Sequence, residues 1–302
     1  LNGQSRRKGH SKQSSETPAE PKRFMSHLCL DNSGPQNIAT VSGFIYFMLI
    51  VCRKTSFTWI RLLRSLRESA KEFEKFLRDV AKQHIKKSVK VVKTDHGPSD
   101  FGNSAFRDLL RKYSITRAPT GGSSTHNNKV ERRIGLLETD ILTHMSWAAA
   151  PRVWWGYCAL YCVTTRNLTP IPTNPAFKSP YEIAYDRQPD RTMQQPFGCL
   201  ALVNIARIDR GGKLNYRKAT RTCAMIGYQL RPDGHPNAYF LFDCDNGEII
   251  TRPKELIEFN PDVPAMHHCA RNISELPEHK FVGDIVAKFF EQVVQSKPVR
   301  VT

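Results

Sequence analysis

A chain of 302 residues with an apolar fraction of 40% can bury a core and is long enough for two domains. Its 45 Lys and Arg against 28 Asp and Glu leave a formal charge of +17, which favours a polyanionic partner and ranks an acidic-lipid surface second, since no basic amphipathic helix stands out. The longest apolar run, residues 44–51, is too short to span a bilayer; it reads as a core strand, and no membrane partner is expected. Eight cysteines are scattered without the spacing of a disulfide framework, and no signal peptide opens the chain, so a reducing compartment is expected. Leu1 is no natural start, which suggests a fragment of a longer product.

In chain order, residues 1–27 form a basic segment in which Arg6, Arg7, Lys8, Lys12, Lys22 and Arg23 outnumber Glu16 and Glu20. It is a solvated linker, a phosphate-contacting arm, or both. From His27 the pattern becomes compact α/β. H-L-C-L-D-N-S-G-P reads as a strand ending at Asp31 and broken by Gly34 and Pro35. Strands at 43–51 and 57–63 follow, joined as a hairpin through 52–56. Ser65 and Glu68 match a capping box, and Leu66, Ala70, Phe73, Leu77, Val80 and Ala81 give an amphipathic helix. Residues 88–94 read as a buried strand that places Asp95 at its C-terminal end, where open α/β sheets hold their ligands.

Phe106, Leu109 and Leu110 mark a helix over 103–113, and 114–118 is short and β-branched. A Gly, Ser and Thr-rich loop, 119–127, then leads to a helix near Asn128. Val130, Ile134, Leu137, Ile141 and Met145 share one face of that helix, with Glu131 in its first turn. Three strands, a helix, a strand, a helix, a short strand and a helix is the order of a ribonuclease H-like sheet. Asp31, Asp95 and Glu131 each stand at the end of a predicted element, and 35 residues separate the last two. That is the arrangement a two-metal phosphoryl-transfer site requires.

Past Glu131 the chain stays helical. Pro151 opens a second helix whose Trp154 and Trp155 fall on an apolar stripe with Leu160 and Val163, a core position rather than a base-stacking one. A Pro-rich connection over 168–180 leads to a short helix with Pro180 in its first turn. Short β runs at 199–205, 222–228, 238–243 and 248–251, separated by turns, suggest a small barrel or meander. Its first connection carries Arg207, Arg210, Lys213, Arg217, Lys218 and Arg221 against one acid, Asp209, as a DNA-backbone surface would. Cys158 and Cys162, one helical turn apart, read as small buried residues, and His267, His268 and Cys269 lack a second ligand pair at zinc spacing. The expected division is a basic segment 1–27, a catalytic core 28–190, a small β-rich, barrel-like domain 197–260, and a largely irregular tail 261–302 with one helix at 284–294.

Taken together, residues 31–259 resemble the integrases of copia-type retrotransposons, part of the retroviral integrase superfamily with its D,D-35-E signature. Asp31 matches the first acid in D-x-x-G-P and Asp95 the second in D-x-G. Glu131 matches the third in N-G-x-x-E-R, here Asn127, Asn128, Lys129, Val130, Glu131 and Arg132. Downstream matches continue in order through S-P-Y-E at 179–182, F-G-C-L at 197–200, K-L at 213–214, I-G-Y at 226–228 and Y-F-L-F-D at 239–243. The chain departs from the family pattern at Asn128 (usually Gly), Asp100 (usually Glu) and Cys52 to Ser56, where the family has D-D-x-S-R. The family's N-terminal His-Cys zinc module is not visible.

The resemblance implies a Pol polyprotein fragment that trims DNA 3′ ends and joins them to target DNA. Asp31, Asp95 and Glu131 would be both catalytic and metal-binding. Two carboxylates about 4 Å apart repel by roughly 4 kcal/mol at an effective dielectric near 20, so converging acids want divalent metal between them. Oxygen ligands select Mg²⁺, with Mn²⁺ able to substitute. It further implies DNA partners (element ends and target) bound by Arg132 and the basic cluster from Arg207 to Arg221, a homo-oligomer, and a nuclear location with a cytoplasmic particle stage. Two other readings compete: a ribonuclease H-like nuclease, and a decayed nucleic-acid-binding relic.

Overall fold

The structure, a computed structural model, describes residues 23–81, 89–94, 101–118, 127–172, 174–204 and 220–268. Asp95, Arg207, Arg210, Lys213, Arg217 and Lys218 lie outside the described residues, as does the helix expected at 284–294.

Strands β1 (His27–Ser33), β2 (Tyr46–Cys52) and β3 (Thr58–Leu63) form an antiparallel meander. Strand β4 (Val91–Lys93) pairs parallel with β1, and β5 (Thr116–Arg117) parallel with β4, so the sheet order is β3-β2-β1-β4-β5. This is the expected ribonuclease H-like mixed sheet. The apolar run of β2 has its cause in this position, because an inner strand covered on both faces carries no polar alternation. Phe47, Leu49 and Val51 enter one core, and Met48, Ile50 and Cys52 enter the other.

Helices α1 (Ser69–Phe76) and α2 (Ser104–Lys112) cover the second core, while α3 (Asn127–Trp147) and α4 (Trp155–Leu168) cover the first. Asn103 caps α2 by accepting from the Phe106 N–H at 2.8 Å, a bond that satisfies one orphan donor of the first turn. The expected capping box at Ser65 is displaced. Ser65 Oγ accepts from the Arg67 N–H, the Glu68 carboxylate accepts from the Arg64 N–H, and a 3₁₀ turn over Leu66–Glu68 delays α1 to Ser69. A π-turn over Leu77–Ala81 follows α1 where a continuous helix was expected.

The second sheet is antiparallel throughout. It contains β6 (Cys199–Asn204), β7 (Thr220–Leu230), β8 (Pro236–Asp243), β9 (Ile249–Arg252) and β10 (Ile257–Pro264), in the order β10-β6-β7-β8-β9. Strand β10 escapes the sequence reading because Pro261 and Pro264 argue against a strand. It is an end strand of the described sheet with a register shift between Asn260 and Pro264, a setting that tolerates proline. The ordered chain therefore continues past residue 260: the Ala265 N–H donates to the Gly198 carbonyl at 2.9 Å, and Ala265 is fully buried.

Helix α4 serves both sheets. Trp155 packs on Phe47 of β2 at 6.3 Å between ring centroids, Trp154 meets Phe242 of β8 edge-on at 4.7 Å, and Tyr161 stacks on Tyr228 of β7 at 5.8 Å. The two tryptophans are core residues, as their spacing implied. Cys158 and Cys162 lie in the same core with their sulfurs 3.9 Å apart, and burial pushes the Cys158 thiol well up. Among the described residues no group of three or more His, Cys, Asp or Glu could hold a metal, and no described helix is long and apolar enough to cross a membrane.

Between the sheets runs α5 (Pro180–Tyr185), opened by a closed capping box of Ser179 and Glu182. The segment after it is fastened to the second sheet through His235. Nε2 of His235 accepts from the Asp190 N–H at 2.9 Å, so Nδ1 carries the proton and donates to the Pro236 carbonyl at 2.8 Å. Protonation at Nε2 breaks the first bond, and burial, with Arg231 nearby, holds the imidazole pKa below its ordinary value. A His depressed in the folded state gives stability that is complete above the unfolded pKa near 6.5 and is lost as pH falls through the folded value. His27 and His144 are shifted the same way by burial, so the readout is a difference. Wild type is expected to lose more melting temperature between pH 7 and 5 than His235→Gln does; equal losses would free His235 from this role.

Candidate active site on the central strand

Side chains alternate along β1. Cys29 enters the core under α3 and α4, whereas Leu28 and Leu30 enter the core under α1 and α2. The next two residues keep this alternation: Asn32 Nδ2 donates to Ser69 Oγ of α1 at 3.0 Å, and Ser33 Oγ donates to Glu138 Oε1 of α3 at 2.6 Å. Asp31 is therefore on the α3 side, half-buried, with Oδ1 accepting from the Asn32 N–H at 2.9 Å. The strand runs two residues beyond Asp31 instead of ending there. It stops at Gly34, whose φ of +121° suits glycine and where a Cβ would lie 2.6 Å from the Ile45 carbonyl oxygen. The G-P of D-x-x-G-P is thus a backbone requirement of the turn beside the acid.

Strand β4 pairs with β1 with Cys29 opposite Lys93, and Thr94, buried, is the last described residue before Asp95. Helix α3 begins at Asn127, so Glu131 is one full turn inside it rather than in the first turn, and it is exposed. Glu138 is seven residues on, which is two turns and about 10.5 Å along the axis on the same side of the helix. Asp31 is likewise two residues, about 6.8 Å, from Ser33 on one face of the strand. The Ser33–Glu138 bond ties α3 to the face of β1 that carries Asp31. Sequence reading passed over both residues; the available signal was a hydroxyl on Asp31's face and an acid at helical repeat from Glu131.

Arg132 is exposed beside Glu131. Arg221 is half-exposed and directs a guanidinium nitrogen to the buried Asp243 carboxylate at 3.2 Å, so it has a partner within the second sheet. A pocket of about 90 Å³ lies at the β3 edge, lined by Trp59, Arg61, Asp79, Leu160, Asn167 and Arg231 among others. Asp31, Glu131 and Glu138 are not among its lining residues. Ser33→Ala, which strips a hydrogen bond from a charged acceptor, is expected to lower unfolding free energy by about 1–2 kcal/mol. In a double-mutant cycle with Glu138→Ala the two changes should be non-additive; additive denaturant midpoints would show that the pin carries no energy.

No family model matches the chain. It is 23% identical over 202 residues, 66% of its length, to the retrovirus-related Pol polyprotein from transposon TNT 1-94 of Nicotiana tabacum. It is 22% identical over 215 residues, 71% of its length, to the corresponding polyprotein from transposon RE2 of Arabidopsis thaliana. The chain spans 14% of the length of each of these relatives. Among solved structures it is similar to the catalytic core domain of BIV integrase, with a TM-score of 0.39 and 16% identity over 54% of this chain and 95% of that one. The HTLV-2 integrase catalytic core domain in complex with magnesium gives 0.42 and 15%, covering 54% and 99%. The simian T-cell lymphotropic virus intasome in complex with a PP2A regulatory subunit gives 0.40 and 14%, covering 78% and 81%.

Proposed function

Given a chain similar over about two thirds of its length to retrotransposon Pol polyproteins, we propose that it is the integrase portion of such a polyprotein, of copia type. It trims the 3′ ends of element DNA and joins them to target DNA. The observation that carries this reading is the adjacency of three elements. Asp31 lies on the α3 side of β1, α3 bearing Glu131 is hydrogen-bonded to β1, and β4, which leads into Asp95, is paired with β1. Asp31 is two positions after Cys29 and Asp95 two positions after Lys93, so the parallel register leads β4 toward the same end of the sheet.

The donors proposed here are all carboxylates, hard oxygen ligands that suit Mg²⁺, with Mn²⁺ as substitute. Asp31, Asp95 and Glu131 would hold it, and when bound it would lower the pKa of the attacking water or 3′-hydroxyl and stabilise the leaving oxygen. The protein's own part is to fix Asp31 on a strand covered on both faces and to hold Glu131 on a helix tied to that strand. Arg132 and the cluster of Arg207, Arg210, Lys213, Arg217 and Lys218 would neutralise phosphates; Arg221, held by Asp243, would border that surface. The reading extends to a homo-oligomer acting on two DNA ends in the nucleus after a cytoplasmic particle stage, and to a catalytic core over 28–190.

One observation favours the relic: where the family pattern has an aspartate, Cys52 is fully buried in the α1 and α2 core. Strand transfer decides. With Mg²⁺ or Mn²⁺ and labelled duplex carrying the element's terminal sequence, joined products are expected. Cleavage without joining would mark a nuclease, and binding without chemistry a relic. In the same preparation DNA affinity should fall steeply with salt, and Arg217→Ala with Lys218→Ala should flatten the slope by about one unit per lost phosphate contact.

A further inference from the structure

Strand β3 is an end strand of the first described sheet, and its outer edge faces the pocket of about 90 Å³. The pocket touches every residue from Phe57 to Arg61. Ile60 enters the core under α4 while Phe57 and Trp59 pack into the one under α1, so the pocket lies across the edge of the strand rather than on one face of the sheet. The Cys52 N–H donates to the Phe57 carbonyl at 2.8 Å and the Ile45 N–H to the Leu63 carbonyl at 3.1 Å, which turns residues 57, 59, 61 and 63 toward β2. In an antiparallel ladder the residues between them bond outward. At Thr58 the outward groups are taken: the Asn167 side chain of α4 accepts from the Thr58 N–H at 2.9 Å and donates to its carbonyl at 2.8 Å, as a residue of an added strand would. At Ile60, the next outward residue, no described residue supplies such partners.

We propose that this edge takes an extended peptide segment of a partner protein, added beside β3 at Ile60, with an aliphatic side chain in the pocket and an acidic one on Arg231. The backbone decides the conformation. An N–H and a carbonyl side by side on a strand edge are matched by the carbonyl and N–H of another extended chain, whereas a helix keeps its own peptide groups bonded internally. The walls decide the first side chain, since Leu160, Val163 and Leu230 are apolar. Charge decides the second. Arg61 is buried in the floor with the carboxylates of Glu72 and Asp79 near it, and Asp233 of the facing turn is paired with Arg187. Arg231, exposed on that turn, has no acidic partner among the described residues. DNA would answer Arg231 but carries no peptide groups for Ile60 and no aliphatic chain for the pocket. One residue's backbone bonds and one filled pocket make a small contact, so the affinity is modest.

The probe is a capped, fluorescein-labelled peptide of sequence Glu-Val-Thr-Val-Glu, titrated against the full chain by anisotropy. Binding is expected with a dissociation constant of about 10–1,000 µM, as suits so small a contact. Methylating its amide nitrogens one at a time should abolish binding at the amide that donates to the Ile60 carbonyl and be tolerated at the amides beside it, which point away from β3. Unspecific attraction to a chain of +17 would be blind to that pattern. Arg231→Glu should weaken binding about fivefold or more, and a peptide with Lys in place of both Glu residues should bind this variant as the acidic peptide binds wild type. That rescue separates a lost charge pair from a disturbed turn. No binding in the stated range, equal effects of methylation at every amide, unchanged affinity in Arg231→Glu, or hexanoate binding as tightly as the peptide would each overturn the proposal, the last by making the pocket a site for small carboxylates.

Discussion

Glu131→Gln is expected to lower strand transfer by about a thousandfold or more while DNA affinity stays nearly unchanged. Glutamine keeps the size and a carbonyl able to meet a metal but loses the charge, so the loss should fall on the chemical step. Because Glu131 is exposed and one turn inside α3, beyond the first turn where a helix dipole is felt most, its replacement should not change the melting temperature. Gel-based joining assays beside DNA titrations separate the two effects. Joining that persists at a comparable rate would remove Glu131 from the site and, with it, the proposed mechanism.

The largest expected effect on folding belongs to Trp154. Its ring is 3% exposed and set edge-on against Phe242, at the point where α4 meets the second sheet. Trp154→Ala leaves a cavity there and should cost about 3–5 kcal/mol, a large part of the roughly 5–15 kcal/mol that holds a typical domain together. Trp154→Phe should restore part of it. A denaturant midpoint for the alanine variant within error of wild type would show that the two sheets are joined by something other than this contact.

Most of the first sheet was legible in the sequence because β1, β2 and β3 carry burial patterns of their own, while β5, without a buried residue, was marked only by its short β-branched run. The double-sided burial of β2 wrote most of the apolar run over 44–51, and the spacing of Val130, Ile134, Leu137 and Ile141 wrote the inner face of α3. What stayed hidden was decided by partners distant in sequence. The prolines of β10 argue against a strand until β6 is beside it, and the Ser33–Glu138 bond joins positions 105 residues apart. Ser65 and Glu68 have the spacing of a capping box, yet a 3₁₀ turn moved each bond by one residue. At the candidate site Asp31 and Glu131 could be read from motif and spacing. Arg221 could not, since nothing local announces that the buried acceptor Asp243 takes its guanidinium.

The double duty of α4 has a consequence in time. During synthesis its buried surface is complete by Leu168, but the strand that receives Trp154 is finished only at Asp243, about 75 residues later. At roughly 5–20 residues per second that interval is about 4–15 s, far longer than a helix needs to form. For those seconds the nascent chain presents Trp154 and Tyr161 without their later partners, so the hazard of misassociation is greatest midway through translation and falls once β8 has emerged.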